Sequence, residues 1–287
     1  MTKLITLVFN VHNSAETLEG VLDSWIKNLS PDNRHETVIV CDGCTDGSHL
    51  TAFEYRRVRS LLSTERIYVF STDDIFEIAS NNLALGYASD HSDLIVFIQD
   101  DNWSLEPNWD RILVHSQQWA DHPGATALLA GGYFGADGDT YFRVETNRPH
   151  KGVHFGKHNI PEGKYPLALY SVDFVTRPFA ISTPLLRELG GLGGPGYEKF
   201  CWDDTDLSVK LLRRGYTNLY LPLDIVNTSP HTGSDVMRQS FEHNHETFRA
   251  AHREWLSWRP RHAFRPICPI IERDGELKIA QYWSEVG

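Results

Sequence analysis

Cysteine is scarce. Four residues, at positions 41, 44, 201 and 268 of a 287-residue chain, cannot supply the disulfide scaffold that holds small secreted domains together. Long apolar runs are missing too. Stretches such as Leu94-Ile95-Val96-Phe97-Ile98 fall far short of the roughly 20 residues that span a bilayer. Residues 4–9 are too few for the apolar core of a secretory signal, and they run straight into polar Asn10-Val11-His12-Asn13. Positive charge is in deficit: 27 Lys plus Arg against 38 Asp plus Glu leave a formal net charge of −11 with histidine neutral. That balance argues against nucleic acid or an anionic membrane as a bulk partner, while leaving room for a local phosphate pocket. Internal repeats and low-complexity linkers are also lacking. The expectation is a cytoplasmic protein with free thiols and no transmembrane segment.

What is present is globular material. At 41% hydrophobic and 23% charged residues, the chain can bury a sizeable core. Residues 4–9 (LITLVF) form a continuous apolar run, as a strand buried on both faces does. Asn13 is the expected N-cap of the next helix, with Glu16 as its capping-box partner. Leu18, Val21, Leu22, Trp25, Ile26 and Leu29 then recur at helical spacing. The unit repeats, with strands at 37–41, 66–70, 94–98 and 125–130 and helices at 51–62, 75–88 and 106–120. Such alternation implies right-handed βαβ units and a mostly parallel sheet flanked by helices, an α/β fold.

Residues 131–180 break the rhythm, and only LALYSVDFV and FAIS near their end read as strand. Helices are expected at 184–189, at 205–214 (closed by Gly215 in the C′ position) and at 235–258. Asp274-Gly275 signals a two-residue hairpin. The organisation expected is one domain over residues 1–232 with a helical and hairpin extension, 233–287, packed on it.

Parallel sheets bind ligands at the carboxyl ends of their strands, so the residues just beyond those ends carry the functional reading. Asp42, in Cys41-Asp42-Gly43-Cys44-Thr45-Asp46-Gly47-Ser48, can accept the N–H of a base such as uracil or serve as an Asx turn for the next helix. The CxxC there lacks the second ligand pair a zinc site wants, and packing suits it better. Asp100 and Asp101 sit side by side in Gln99-Asp100-Asp101-Asn102-Trp103. Adjacent carboxylates repel unless a cation lies near them, and hard oxygen donors suit Mg²⁺ or Mn²⁺. Trp202-Asp203-Asp204-Thr205-Asp206 opens a helix, where aspartates satisfy backbone N–H groups and the dipole; an ionised aspartate there also suits a general base. Trp103 and Trp202, with Tyr197, offer flat faces on which sugar rings stack, and they are the expected acceptor-binding residues. His245-Glu246-Thr247-Phe248-Arg249 lacks the second histidine of a zinc protease, and GGLGGPG (190–196) follows a helix rather than a strand, which removes the dinucleotide reading.

Taken in order, these segments resemble family 2 of the GT-A-fold glycosyltransferases, which are inverting enzymes using nucleotide sugars. LVFNVHNSAETL is similar to that family's first strand and helix, and VCDGCTDGS to its VDDGSTDGS segment, with Cys41 and Cys44 replacing Asp and Ser. NNLALGYASDHSDLIVFIQDDN resembles the stretch ending in the DxD motif, with Gln99 at its first acid, and WDDTDLSVKLLRRGY resembles the motif that supplies the base. The resemblance spans residues 4–232. It implies that Asp42 contacts the nucleobase, Asp100 the ribose or metal-bound waters, and Asp101 a Mn²⁺ or Mg²⁺ ion, with His231 a further metal ligand. Asn10 and Asn82 join the donor-binding set. Asp204 matches the base, and Asp203 stands beside it as a competitor. The donor implied is a UDP-sugar and the acceptor a glycan, lipid-linked or protein hydroxyl. Two alternatives stand beside it: a non-catalytic carbohydrate-binding protein on the same fold, and a nucleotidyltransferase, whose basic glycine-rich loop is absent from Asn10-Val11-His12-Asn13.

Overall fold

The N-terminal apolar run becomes the middle of a five-stranded sheet. The computed structural model describes residues 2–62, 65–120, 125–132, 145–146, 164–165, 168–172, 174–227, 235–258, 265–273 and 276–279. Strand β1 (Leu4–Val11) pairs in parallel with β2 (Arg34–Asp42) on one side and β4 (Leu94–Gln99) on the other. β3 (Arg66–Thr72) extends the sheet in parallel beyond β2. The connections are helices: α1 (Leu18–Ile26), α2 (Ser48–Leu62) and α3 (Phe76–Tyr87).

After β4 come the short β5 (Asn102–Ser104), helix α4 (Trp109–Ala120) and β6 (Ala125–Gly132). Two-residue strands β7 (Glu145–Thr146) and β8 (Lys164–Tyr165) pair with each other, followed by β9 (Ala168–Val172) and β10 (Phe179–Ser182). β10 closes the first sheet antiparallel to β4, giving the order β10-β4-β1-β2-β3. Helices α5 (Thr183–Glu188) and α6 (Asp203–Arg213), strand β11 (Thr217–Asn227), helix α7 (Asp235–Trp258) and strands β12 (Arg265–Arg273) and β13 (Glu276–Ile279) complete the chain. The second sheet runs β13-β12-β9-β11-β5, with β6 parallel to β11. Residues 125–130, expected to continue the first parallel sheet, thus pair with β11 instead.

Both faces of the first sheet are covered, which is why its strands read as unbroken apolar runs. Ile5, Leu7, Phe9 and Val11 point to one side, against Val21, Leu22 and Trp25 of α1. Val8, Val38, Val40, Ile95 and Phe97 point to the other, against Ala84 and Leu85 of α3, Leu186 of α5 and Leu207 and Leu211 of α6. Each such fully buried side chain contributes about 1.5–3 kcal/mol. Thr6, the polar member of β1, is satisfied by Glu36 (2.7 Å) and Ser92 (2.7 Å).

Trp25 and Trp109 meet edge to face at 5.0 Å. Their indole N–H groups donate to Asn102 O (2.8 Å) and Trp25 O (3.1 Å), which locks α1 and α4 onto the β5 turn.

The start of α1 departs from expectation. The helix begins at Leu18, and Thr17 at its cap makes no side-chain capping bond. Asn13 adopts φ +52°, and its Oδ1 accepts from Thr45 N at 2.8 Å. Its side chain binds the loop after β2 instead of capping α1. At the other end of the chain, β12 pairs with β9, and Arg273 lies opposite Glu276. That register fits a two-residue connection; Asp274 and Gly275 themselves lie outside the described residues.

Candidate functional site

Parallel register brings the ends of β2, β1 and β4 to one edge. His12, just past β1, bridges its neighbours: its backbone N–H donates to Asp100 Oδ2 (2.8 Å), and its Nδ1 lies 2.7 Å from Asp42 O. Asp42 is 4% exposed. Its Oδ1 accepts from Thr72 Oγ1 (2.9 Å) and Ile75 N (2.8 Å), so it ties the end of β2 to β3 and to the approach to α3. The Asx-type cap of α2 is supplied by Asp46 instead, whose Oδ1 accepts from Ser48 N at 2.9 Å. Burial is the largest single influence on the Asp46 carboxyl and pushes it up, but hydrogen bonds from Ser48 and Ala15 together hold it below the usual range. Beside Asp42, Gly43 has φ +57°, and a Cβ there would stand 2.8 Å from Asp74 Cβ.

Asp100 is half-buried and Asp101 buried, with Asp101 Oδ1 accepting from Asn102 Nδ2 at 2.6 Å. This is an all-oxygen carboxylate pair at a strand tip. Among the described residues no three His, Cys, Asp or Glu side chains gather as a metal cage. A pair of carboxylates nonetheless fits Mg²⁺ or Mn²⁺, which keeps waters and binds through one or two carboxylates plus substrate phosphate. His231, the further ligand expected from the sequence, lies outside the described residues.

A second acidic centre forms where α6 begins. Asp203 is fully buried and paired with two guanidinium nitrogens of Arg177, NH2 at close range and NH1 at 3.4 Å. Arg177 also lies 3.4 Å from Glu77 Oε1 through Nε, and 3.9 Å from Asp204 Oδ2 through NH1. Asp204 Oδ1 accepts from Thr205 N at 2.7 Å. Burial first, and then the charge of Asp203, push the Asp204 carboxyl above its ordinary range, with Arg177 pulling the other way. Glu77 is raised by burial as well, against the pull of Arg177. Gln99 Nε2 donates to Glu77 Oε1 (3.2 Å) and Asn10 Nδ2 to Glu77 O (3.5 Å). The tips of β1 and β4 are therefore joined to the acidic motif through Glu77 and Arg177.

The loop before α6 is held in an unusual shape. Lys199, Cys201 and Trp202 all have positive φ, between 52° and 68°, a conformation that costs L-residues free energy unless its surroundings impose it. Asn244 of α7, fully buried, imposes it. Its Nδ2 lies 2.7 Å from Glu198 O, 2.7 Å from Phe200 O and 3.1 Å from Cys201 O, and its Oδ1 accepts from Glu198 N at 2.9 Å. Ile78 N donates to Lys199 O (3.0 Å), fastening the same loop to α3. One turn along α6, Asp206 receives Tyr197 OH (2.9 Å) and lies 2.8 Å from His252 Nε2 and 2.6 Å from Lys210 Nζ. Despite burial, those partners hold Asp206 below the usual carboxylate range.

Several residues expected to meet ligand are placed in other work. The Asn82 amide is spent on the glycine-rich loop, accepting from Leu192 N (2.8 Å) and donating to Leu192 O (3.0 Å). The Tyr197 hydroxyl serves Asp206. Trp103 packs against α1, where a Cβ on Gly20 would come within 2.4 Å of its ring. Trp202 is half-buried, stacked on His245 at 4.6 Å with Phe248 and Phe241 at 5.0 and 5.4 Å. All four cysteines are free thiols; Cys41 is buried, which pushes its thiol up to about 12.

Sequence reasoning missed Arg177, Glu77 and Asn244. Arg177 carries a signal: it is the lone charge in Phe174–Ser182, and it falls between the two segments that read as strand. Glu77 looked like any acidic first-turn residue, and nothing local marks Asn244.

No family model and no curated protein matches the chain. Solved structures do. A mannosyltransferase, PcManGT from Pyrobaculum calidifontis, in complex with GDP-Man and Mn²⁺, superposes with a TM-score of 0.59 at 17% identity, covering 88% of this chain and 65% of that one. GalNAc-T7 with UDP, GalNAc and Mn²⁺ gives 0.60 at 16% identity, covering 90% and 52%. Residues 1–349 of S. aureus TarS give 0.55 at 16%, covering 91% and 67%. The chain thus spans about half to two thirds of the length of these proteins. At such identities the likeness establishes the fold alone: a mostly parallel α/β sheet flanked by helices, of the GT-A type.

Proposed function

We propose that the protein is a metal-dependent inverting glycosyltransferase of the family 2 type, which moves a sugar from a nucleotide sugar, most simply a UDP-sugar, to an acceptor hydroxyl. The observation that carries this reading is the division of labour at α6. Arg177 neutralises Asp203, while Asp204, with 13% of its side chain exposed, keeps a raised proton affinity. An aspartate so placed takes a proton better than an ordinary surface carboxylate does. Asp203 is spent on Arg177, so Asp204 is the base.

On the donor side, Asp42 keeps Oδ1 on Thr72 and Ile75, and its Oδ2 makes no hydrogen bond to the described residues. In this reading Oδ2 receives the nucleobase N–H. Asp100, aligned by His12 N–H, faces the ribose, and Asp101 holds Mn²⁺ or Mg²⁺, with His231 as the further ligand proposed. When bound, the cation neutralises the growing charge of the nucleoside diphosphate. Asp204 removes the acceptor proton as the acceptor oxygen attacks the anomeric carbon. The diphosphate leaves from the opposite face, so one displacement inverts the centre. The known ligands of the similar structures, GDP-Man, UDP and GalNAc with Mn²⁺, are of the same chemical kind.

The direct test is UDP release from a panel of UDP-sugars with Mn²⁺ and mixed acceptors. Wild type should turn over, and Asp204→Asn should not, while still binding donor. Equal turnover by both proteins would remove Asp204 from the mechanism.

A further inference from the structure

We propose that Glu77 is a positioning residue whose carboxylate, ion-paired with the Nε edge of Arg177, draws the guanidinium onto Asp203 and away from Asp204. The proposal rests on the reading of Asp204 as the base. Its geometry is a competition of three carboxylates for one cation. Arg177 spends NH2 and NH1 on Asp203, lies 3.4 Å from Glu77 through Nε in an ion pair without a hydrogen bond, and keeps NH1 3.9 Å from Asp204. Glu77 is itself fixed. Its Oε1 takes Gln99 Nε2 and its carbonyl takes Asn10 Nδ2, from the tips of β4 and β1. An acid in the first turn of a helix ordinarily serves the dipole from the solvent side. This side chain is 14% exposed and turned inward onto a buried arginine.

The consequence lies on Asp204. With Glu77 neutral, the Nε edge loses its anchor, and the carboxylate left to attract the guanidinium is Asp204. A closer guanidinium favours the ionised form and weakens the base. The charged and titratable groups around Glu77 are Arg177 from the segment before β10, Asp203 and Asp204 from α6, and the Cys201 thiol from the loop before α6; Gln99 of β4 is neutral.

The experiment is the pH profile of kcat for wild type, Glu77→Gln and Glu77→Asp. In Glu77→Gln the acid limb should move down by about one pH unit, and the plateau should fall several-fold because a weaker base transfers the proton less well. Donor KM should stay within about twofold. Glu77→Asp should recover part of both changes. An acid limb within about 0.3 units of wild type overturns the proposal, since loosened packing alone lowers kcat without moving the limb.

A second readout needs no substrate. If Glu77 holds Arg177, the two side chains share a coupling energy that a double-mutant cycle isolates. In thermal unfolding at one pH, Glu77→Gln should lower the midpoint beside Arg177 and lower it less beside Arg177→Met. Additive shifts also overturn the proposal, even if Glu77→Gln is too unstable for kinetics. Wild type that transfers nothing from any nucleotide sugar defeats the glycosyltransferase reading instead, and the double-mutant cycle then decides the Glu77–Arg177 link separately.

Discussion

Arg177 reaches Asp203 through two guanidinium nitrogens, with the two side chains 5% and 0% exposed. A pair so buried recovers its desolvation cost only while both partners are present. Removing the arginine leaves Asp203, Glu77 and Asp204 as buried carboxylates without their shared cation. Arg177→Met should cost about 3–5 kcal/mol, lowering the thermal midpoint by roughly 6–20 °C at this chain length. Differential scanning calorimetry measures it, and Arg177→Lys should lose less, because it keeps the charge while giving up the fork.

The donor side makes a separate prediction. If Asp101 holds the cation, UDP and Mn²⁺ should stabilise the protein together far more than either alone. A ligand at about 100 times its dissociation constant adds roughly 2.7 kcal/mol, a shift of about 5–11 °C. Asp101→Ala should abolish the joint shift, and Asp204→Asn should keep it. A UDP shift indifferent to Mn²⁺ and to Asp101 would speak for nucleotide binding without a metal.

Much of this was legible in the residues. The βαβ rhythm, the strand-end aspartates and the acidic first turn of α6 follow from local pattern, because burial on both faces of a sheet forces continuous apolar strands and leaves polar residues at their ends. The links between those pieces were not legible. Asn13 has the chemistry of an N-cap, and only the approach of Thr45 from the next loop redirects it. Asn82, Tyr197 and Trp103 have side chains suited to ligands, but each is claimed by a partner at least nine residues away: Leu192, Asp206 and Gly20. The grip of Arg177 on three acids from two helices is a tertiary fact with no sequence period.

The contact between Gly20 and Trp103 predicts a steric effect. A methyl on Gly20 would lie 2.4 Å from Cη2 and 2.8 Å from Cζ3 of the indole. In an open helix position Gly→Ala gains about 1 kcal/mol. Here overpacking should reverse the sign, and Gly20→Ala should destabilise by about 1–3 kcal/mol. Trp103→Leu would make room for that methyl, so the double variant should lose less than the sum of the single ones. A double-mutant cycle in urea shows it.

Asn244 predicts a functional effect from a residue far along the chain. Its amide meets the backbone of Glu198, Phe200 and Cys201, and so maintains the positive-φ path that delivers Asp203 and Asp204 to Arg177. Asn244→Ala removes both donor and acceptor, leaving those part-buried carbonyls to find water or lose their partners. The cost should be about 2–4 kcal/mol, taking about 1 kcal/mol for each hydrogen bond. The larger effect should fall on chemistry, because a base displaced by about 1 Å costs on the order of 100-fold in rate. Asp42, Asp100 and Asp101 are carried by other strands, so donor affinity should change little. Asn244→Ala should therefore lower kcat far more than it raises donor KM, and steady-state kinetics on the folded variant separates the two. A rise in KM with kcat intact would place Asn244 on the donor side instead.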